Sequence, residues 1–338
     1  MSTASLRMGV IGVGVIGKAH VTRLSSASSP ARLVAVADAS AEAAAAVAAE
    51  HGVESAASVD DLLARTDVDA VVVAVPSGLH ADVAVAALDA GKHVLLEKPI
   101  EISVAAADRI LAAERRTGRT LSVASQRRFA AENQFLHRAV REGAFGTVTA
   151  TTVEVALWRS QEYFDSGAWR GTWELDGGGA LMNQGVHLVD LALWLLGEVE
   201  EVYAHAGTLA HERIDVEDAV TITARLRSGA LMTFLATTAA YGDLPIRMAV
   251  MGDGGAVVTE SERITRFTTR SEIELPELEP VDQPLAQLRD FVTAVETGGR
   301  PLVTGAEARA AVAFIEAVYE SGRTGRPVRP AGLPAAVR

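Results

Sequence analysis

The sequence predicts an α/β protein in two parts, a doubly wound parallel sheet followed by an α+β part with a large, open-faced, mainly antiparallel sheet. In the first part, short apolar runs alternate with helical patterns, whereas later runs are rich in Thr and Val and alternate with period two. A chain of 338 residues with 49% hydrophobic content is long enough for two domains. We place them at 1–125 and 126–338.

The first strand-to-helix turn carries a glycine pattern that is typical of dinucleotide binding. An apolar run at residues 8–11 is followed by three glycines with the spacing G-x-G-x-x-G. The first glycine permits the tight turn, the second lets the backbone approach a pyrophosphate, and the third lets the helix pack closely. Amides at the helix start face the phosphates. The candidate cofactor-binding residues of this turn are Gly12, Gly14, Val15, Ile16 and Gly17.

An acidic residue follows the second apolar run. Residues 33–37 end in Asp38, about where a ribose-binding acid belongs, roughly 20 residues beyond the glycines. Ala39 and Ser40 come next, so no adjacent arginine is available for a 2′-phosphate. We therefore predict NAD as the cofactor in preference to NADP.

The remaining pattern of the first part predicts a Rossmann fold, because continuous Val, Ile and Leu strands indicate a parallel sheet buried on both faces. We predict strands at 33–38, 70–75, 93–96 and 121–124 and helices at 41–50, 59–64, 79–90 and 103–116. Ligands of such a sheet bind at the carboxyl ends of its strands. Besides the glycines and Asp38, Pro76 and Glu97-Lys98-Pro99 fall there.

The second part predicts one sheet with few helices. We predict a linking helix at 132–142, strands at 148–158, 199–206, 219–226, 230–239 and 247–251, hairpin turns at 227–230 and 252–255, a long helix at 179–196, and tail helices at 284–296 and 305–321, with 326–338 ending loosely. A large sheet needs a cover on each face, and one central helix can cover only one of them. The other face is expected to meet another subunit in a homodimer or homotetramer.

Composition excludes several classes of function. The formal charge is -12 and there is no basic block, which argues against nucleic acid or an anionic membrane surface as partner. No apolar run reaches the ~18 to 20 residues that a membrane span needs. Cysteine is absent, so disulfides, thiolate metal sites and a cysteine nucleophile are excluded. We expect a cytoplasmic protein without a metal.

Two segments beyond the glycines carry residues suited to chemistry. In Gly91 to Pro99, a buried strand ends in Glu97 and Lys98. These could be an ordinary surface ion pair, but a lysine at the mouth of a dinucleotide-binding sheet can act as acid or base when it is partly desolvated. In the second segment, Asn183 and His187 are four residues apart after a glycine-rich entry, which places them on one helical face within about 6 Å. A lone helical histidine is more often a satisfied core residue, but this one shares its face with an amide.

Several motifs together resemble the glucose-fructose oxidoreductase/inositol dehydrogenase/MocA family. They are GVGVIG, VAVPSGLH, GKHVLLEKP, WRGTW, GGGALMNQGVH and the C-terminal PLVTGAEARAAVAFIEAVYESGRTGRPV. Their order and spacing cover nearly the whole chain.

The resemblance implies oxidation or reduction of a sugar or polyol carbinol by a nicotinamide. It identifies Lys98 as the catalytic lysine, which Glu97 and Pro99 position, and His187 as the histidine of the helix motif. Further residues would line the cofactor or reach the substrate: Pro76, Ser77, His80, Trp169 and Arg170 for the cofactor, Gln126 and Arg127 for the substrate. Arg127 and Arg128 could equally be interface ion pairs.

One residue departs from the family pattern. Many polyol dehydrogenases of the family carry Asp where this chain has Asn183, and Asn cannot hold a proton or stabilise an imidazolium by charge. Some members that act on nucleotide-linked sugars have the Asn-Gln-x-x-His form. The substrate is therefore predicted only as an inositol-like polyol, an aldose or a nucleotide-linked sugar. The alternatives are a dihydrodiol- or tetrapyrrole-type reductase of the same fold and a dinucleotide-binding regulator without turnover.

Overall fold

The computed structural model describes residues 5–271 and 273–332 and divides the chain into two compact units. The first unit consists of the chain up to Glu101, Ala105–Gln126 and Gln283–Arg309. The second consists of Ile102–Val104, Arg127–Asp282 and the chain from Ala310 on. The prediction that 326–338 ends loosely lies partly outside the described residues. Within them it is wrong at Val328, which pairs with Val202 through two backbone hydrogen bonds of 2.9 Å.

The first unit contains the predicted parallel sheet. Its strands are β1 (Leu6–Ile11), β2 (Ala31–Ala37), β3 (Glu54–Ser55), β4 (Ala70–Val73), β5 (His93–Leu96) and β6 (Leu121–Val123). They lie in the order β3-β2-β1-β4-β5-β6 with parallel pairing, which is the order of a Rossmann fold. The helices between them are α1 (Val15–Leu24), α2 (Ala41–His51), α3 (Val59–Ala64), α4 (His80–Asp89) and α5 (Val104–Thr117). This confirms the fold class predicted for this part.

The second unit contains the larger sheet. Its strands are β7 (Val148–Ala156), β8 (Val199–Gly207), β9 (Ala219–Leu226), β10 (Leu231–Thr237), β11 (Arg247–Gly252), β12 (Gly255–Glu260) and β13 (Arg263–Thr269). The described strands lie in the order β13-β12-β11-β7-β10-β9-β8. Their neighbours pair antiparallel except β7 and β10, which run parallel, so the predicted, mainly antiparallel sheet is confirmed and is mixed in detail.

Helices cover one face of this sheet. They include α6 (Ala131–Arg141) and α8 (Val186–Leu196), whose residues belong to the core of the sheet. A short helix, α7 (Gln161–Asp165), lies between β7 and α8 in the chain. Leu188 and Leu191 of α8 share a buried core with Phe234 of β10. On the opposite face the side chains alternate outward, and Leu231 is 60% exposed in this single chain. The sheet is therefore open on one face, as period-two alternation predicts.

The predicted continuous helix at 179–196 is wrong at its start. Ala180–Gly185 forms a π-helical turn, and the α-helix begins only at Val186. Such single π turns occur within helices, often at functional sites. The α-helical spacing that the sequence assumed for Asn183 and His187 therefore does not apply to the turn that holds Asn183.

The helix α9 (Gln283–Thr297) belongs to the first unit, although the sequence assigned it to the second. Phe291 and Val292 pack in one buried cluster with Met8 and Val10 of β1. The side-chain amide of Gln287 donates to the Val123 carbonyl oxygen at 2.8 Å. Packing of this helix on the parallel sheet, rather than its position along the chain, decides its unit.

The last helix is α10 (Gly305–Thr324). None of the described helices combines the length and apolarity that a membrane span requires.

Replacement of Phe291 tests the contribution of α9. Phe291 is fully buried, so Phe291→Ala should lower the free energy of unfolding by about 3–5 kcal/mol through lost burial and the cavity left behind. Arg289→Ala, an exposed change on the same helix, should stay within about 0.5 kcal/mol. Urea unfolding followed by circular dichroism measures both. Equal stability of the two variants would show that α9 does not stabilise the first unit.

Candidate active site

The glycine turn between β1 and α1 fits a bound pyrophosphate. Gly12 has φ 89°, and a Cβ on Gly17 would lie 1.9 Å from the Gly12 carbonyl oxygen, so both positions require glycine. A Cβ on Gly14 would meet nothing within 4 Å, so the second glycine borders open space. No side chain caps α1, its first turn has no acidic residue, and Val15 is 83% exposed. The amides at this helix start are therefore available to an anion.

Asp38 lies at the same turn. Its Oδ2 accepts a hydrogen bond from the Val13 amide at 2.7 Å, and its Oδ1 accepts one from the Ser40 amide at 2.9 Å. A carboxylate has about four acceptor sites, so these two bonds fix the group and leave capacity for ribose hydroxyls. The position of Asp38 thus fits the role that the sequence predicts for it.

Glu97 fixes the backbone of Lys98 at the carboxyl end of β5. Its Oε2 accepts a hydrogen bond from the Lys98 amide at 3.1 Å, and its Oε1 lies 2.7 Å from Nε2 of His20 on α1. Burial alone would raise the pKa of Glu97, but His20 and Lys98 outweigh it and hold the pKa at about 2. The Lys98–Pro99 peptide bond is cis. Lys98, which is half-buried, therefore extends from a backbone anchored by an ionised carboxylate.

His80 supports the neighbouring loops instead of offering a ring nitrogen to a ligand. Its Nδ1 lies 2.8 Å from the Pro99 carbonyl oxygen and its Nε2 lies 3.0 Å from that of Val75. Burial lowers the pKa of this histidine. The ring thus connects the turn after β4, which contains Pro76 and the buried Ser77, to the turn after β5. Direct cofactor contacts of these residues stay a prediction.

The glycines at 177–179 allow close packing, where the sequence suggested a flexible entrance. Gly177 and Gly178 have φ 77° and 154°, and a Cβ on Gly179 would lie 1.7 Å from the Glu217 carbonyl oxygen. The Glu217 carboxylate accepts hydrogen bonds from the Gly179 and Leu181 amides, both at 2.9 Å, and from the Tyr319 hydroxyl at 3.0 Å. Burial nevertheless raises the pKa of Glu217 to about 7. This carboxyl group holds the start of the π turn.

A second buried acid, Asp176, holds the side chain of Asn183. Asp176 is 2% exposed, and its Oδ1 accepts a hydrogen bond from Asn183 Nδ2 at 2.7 Å while its Oδ2 accepts one from the Gly171 amide at 2.9 Å. A carboxylate cannot donate, so the NH₂ side of the amide must face it. Asn183 Oδ1 is then an acceptor for whatever it meets. Asn183 Oδ1 can thus accept a hydrogen bond as an aspartate oxygen at this position would, but it carries no negative charge.

The remaining predicted residues divide between the units. Half-buried His187 lies in the first turn of α8 in the second unit, and Gln126 ends a segment of the first.

Arg127 donates to Glu262 at 2.5 Å, and buried Arg128 forms two bonds to Asp190, at 2.8 and 2.6 Å. Both arginines thus form ion pairs within the chain, where the sequence left substrate contact or interface pairs open.

Trp169 and Arg170 lie together in the second unit. The guanidinium carbon of Arg170 is 4.5 Å from the centre of the Trp169 ring. Their approach to a nicotinamide stays a prediction.

Sequence reasoning missed three residues that the structure places in these contacts: His20, Asp176 and Glu217. A signal existed for two of them. Asp176 directly precedes the three glycines, and His20 lies three residues after Gly17. Glu217 meets its partners across long stretches of chain, so no local pattern marks it.

The Asp176–Asn183 contact predicts how a second carboxylate, placed at position 183, changes the stability of the protein. Asn183→Asp places two carboxylates in contact, so one of them must bind a proton and its pKa rises. A folded-state pKa raised above the unfolded value costs stability as pH increases past the unfolded value of about 4. We expect Asn183→Asp to be less stable than the unchanged protein at pH 8, with the deficit shrinking toward pH 5, in thermal unfolding.

The matched control is a double variant in which the residues at positions 176 and 183 are exchanged. Asp176→Asn with Asn183→Asp restores one carboxylate and one amide, so the stability at pH 8 should recover in large part. A single Asn183→Asp variant that loses nothing at pH 8, with no recovery in the exchanged pair, would show that this contact does not fix Asn183.

Comparison with known proteins identifies relatives over both parts. The model of the family described as an oxidoreductase family with an NAD-binding Rossmann fold matches residues 6–125, and that of the GFO/IDH/MocA C-terminal domain matches residues 133–258. Inositol 2-dehydrogenase of Rhizobium meliloti (strain 1021) is 29% identical over 329 residues, covering 94% of this chain and 97% of the relative. Inositol 2-dehydrogenase 2 of Saccharopolyspora erythraea is 32% identical over 348 residues, covering 98% of each.

A solved structure is similar over the same extent. The WlbA dehydrogenase from Bordetella pertussis, in complex with NADH and UDP-GlcNAcA, has a TM-score of 0.89 and 34% identity, covering 98% of this chain and all of that one. The matches to both domains and to full-length relatives show that the chain is an oxidoreductase with an NAD-binding Rossmann domain and belongs to the Gfo/Idh/MocA family.

Proposed function

We propose that this oxidoreductase moves a hydride between the nicotinamide of NAD and a secondary alcohol or ketone of a sugar or polyol, free or nucleotide-linked. The observation that carries the proposal is the anchoring of Lys98 at the carboxyl end of β5, where an ionised Glu97 holds its amide and His20 holds Glu97. The relatives support the substrate class, since two are named inositol 2-dehydrogenases and WlbA was solved with NADH and a nucleotide-linked sugar.

The chain would supply binding and proton transfer. Gly12, Gly14 and Asp38 hold the cofactor, which when bound takes the carbon-bound hydrogen of the alcohol as hydride. Lys98 accepts the hydroxyl proton as the ketone forms, once its amine has itself lost a proton, and returns it in the reverse direction. The family resemblance also assigns His187 and Asn183 to the substrate, His187 as a hydrogen-bonding partner and Asn183 as an acceptor through its Oδ1. The homo-oligomer and the cytoplasmic location stay predictions.

Replacement of Lys98 tests the proton transfer. Lys98→Ala should lower kcat by about 10²- to 10⁴-fold, because a general acid or base contributes that much, while the Kd of NADH changes little. Lys98→Arg should not restore kcat, because a guanidinium does not give up its proton. NADH production is measured with myo-inositol, aldoses and nucleotide sugars.

Arg109→Ala, which removes an exposed cation paired with Asp82 in the same unit, is the control and should keep its kcat. A Lys98→Ala enzyme that retains most of its activity on every accepted substrate would place the proton transfer elsewhere.

Replacement of Asp38 tests the cofactor preference. A carboxylate favours ribose hydroxyls and repels a 2′-phosphate, so the unchanged protein should bind NADH more tightly than NADPH. Asp38→Ala should narrow this ratio in fluorescence titrations, whereas Asp60→Ala, an exposed acid on α3, should leave it unchanged. Tighter binding of NADPH by the unchanged protein would refute the assignment of Asp38.

A further inference from the structure

A cluster of two arginines and a tyrosine lies beside the helix motif in the second unit. The guanidinium carbons of Arg170 and Arg159 lie 4.3 Å and 5.5 Å from the centre of the Tyr163 ring. Arg170 also donates from Nη1 to the Tyr163 hydroxyl at 2.6 Å. Two cations thus share one aromatic ring, an arrangement that attraction to the ring supports and their mutual repulsion opposes.

No carboxylate neutralises this pair within the described chain. Neither Arg159 nor Arg170 forms an ion pair with any residue that the structure describes. The acids nearby in sequence have other partners: Asp165 pairs with Arg213 at 2.6 Å, and Ser160 hydrogen-bonds Glu162. Each positive charge is therefore left for water or for an anion.

The cluster offers hydrogen-bond donors to a ligand. The Tyr163 oxygen accepts from Arg170 and, at 3.4 Å, from Gln184 Nε2. Its own O–H has no acceptor among the residues with a described position, so it too can donate. Guanidinium, phenol and amide donors grouped around one aromatic ring are suited to the oxygens of a carboxylate or a phosphate.

The backbone holds the cluster in place. The Arg159 amide donates to the Thr238 carbonyl oxygen at 2.9 Å, and His211 bridges the Arg159 carbonyl oxygen and Asp218, at 2.7 and 2.9 Å. Next to Arg170, the Gly171 amide is bound by Asp176. The arginines are thus presented from fixed backbone, as binding of a defined ligand requires.

We propose that Arg159, Tyr163 and Arg170 form the subsite for an anionic group of the substrate, which makes the substrate an acidic sugar derivative that carries a carboxylate or a phosphate. Gln184 ties the subsite to the helix motif, since it follows Asn183 directly and precedes His187 by three residues. This inference rests on the proposed function, because it assigns a substrate to the same site. It also reassigns Arg170 from the nicotinamide, where the family resemblance placed it, to the substrate.

The experiment compares matched neutral and anionic sugars. NADH production is measured with glucose, glucuronate, glucose 1-phosphate, UDP-glucose and UDP-glucuronate, for the unchanged protein and for Arg159→Gln, Arg170→Gln and both together. Each variant should lose about 10- to 100-fold in kcat/KM for anionic sugars, the range expected for one hydrogen bond to a charged group, and little for glucose. Preference for glucuronate identifies a carboxylate site, and preference for the phosphorylated sugars identifies a phosphate site.

Direct binding separates this inference from the proposed function. Calorimetric titration of UDP-glucuronate and glucose 1-phosphate in the presence of NADH needs no turnover, so it reports on the subsite even if no sugar is oxidised. Arg227→Gln, which removes an exposed arginine paired with Glu198 on a hairpin turn, should bind like the unchanged protein. Circular dichroism confirms the fold of each variant, and Arg→Lys variants retain the charge if a Gln variant does not fold.

Two results would overturn the inference. One is an equal loss for neutral and anionic sugars in the arginine variants. The other is loss of NADH affinity in Arg170→Gln with unchanged sugar binding, which would return Arg170 to the cofactor.

Discussion

Carboxylates that accept hydrogen bonds from backbone amides hold each of the turns on which the candidate site depends. Asp38 binds the Val13 amide, Glu97 that of Lys98, Asp176 that of Gly171 and Glu217 those of Gly179 and Leu181. Turns at strand and helix ends leave amides without a regular partner, and burying such an amide unpaired costs about as much as a lost hydrogen bond. A carboxylate oxygen accepts such a bond most strongly when the group is ionised, as Glu97 is. The same bonds that stabilise the turns therefore set the positions of the side chains beside them.

Close approach of one backbone segment to another explains why Gly17 and Gly179 are glycines. At Gly17 and Gly179 an added Cβ would lie within 2 Å of a carbonyl oxygen, so these residues are glycine because the neighbouring segments touch. Gly14 differs, since an added Cβ would enter open space. Of these three glycines, only Gly14 keeps room for a ligand, as the proposed pyrophosphate contact requires.

The sequence predicts what local periodicity and short motifs determine. The strands of the parallel sheet, the glycine turn and the position of Lys98 after β5 all follow from runs of a few residues. The place of α9 does not, because Phe291 packs on β1 across most of the chain. Nor does the π turn, whose i→i+5 bonding has no distinct sequence period. The partner of Asn183 could be found only from the structure, since a spacing of seven residues across a turn predicts no contact.

The net charge of the chain differs in sign from the local charge around Tyr163. The chain carries a formal charge of -12, which would disfavour an anionic substrate if charge acted as a whole. At physiological ionic strength, however, exposed charges are screened beyond about 8 Å, so the groups next to a ligand decide its binding. Around Tyr163 these are two arginines without an acidic partner in the described chain. An acidic protein can in this way keep a local site for acidic sugars, because the carboxylates near it are already engaged with Arg213, Asn183 and backbone amides.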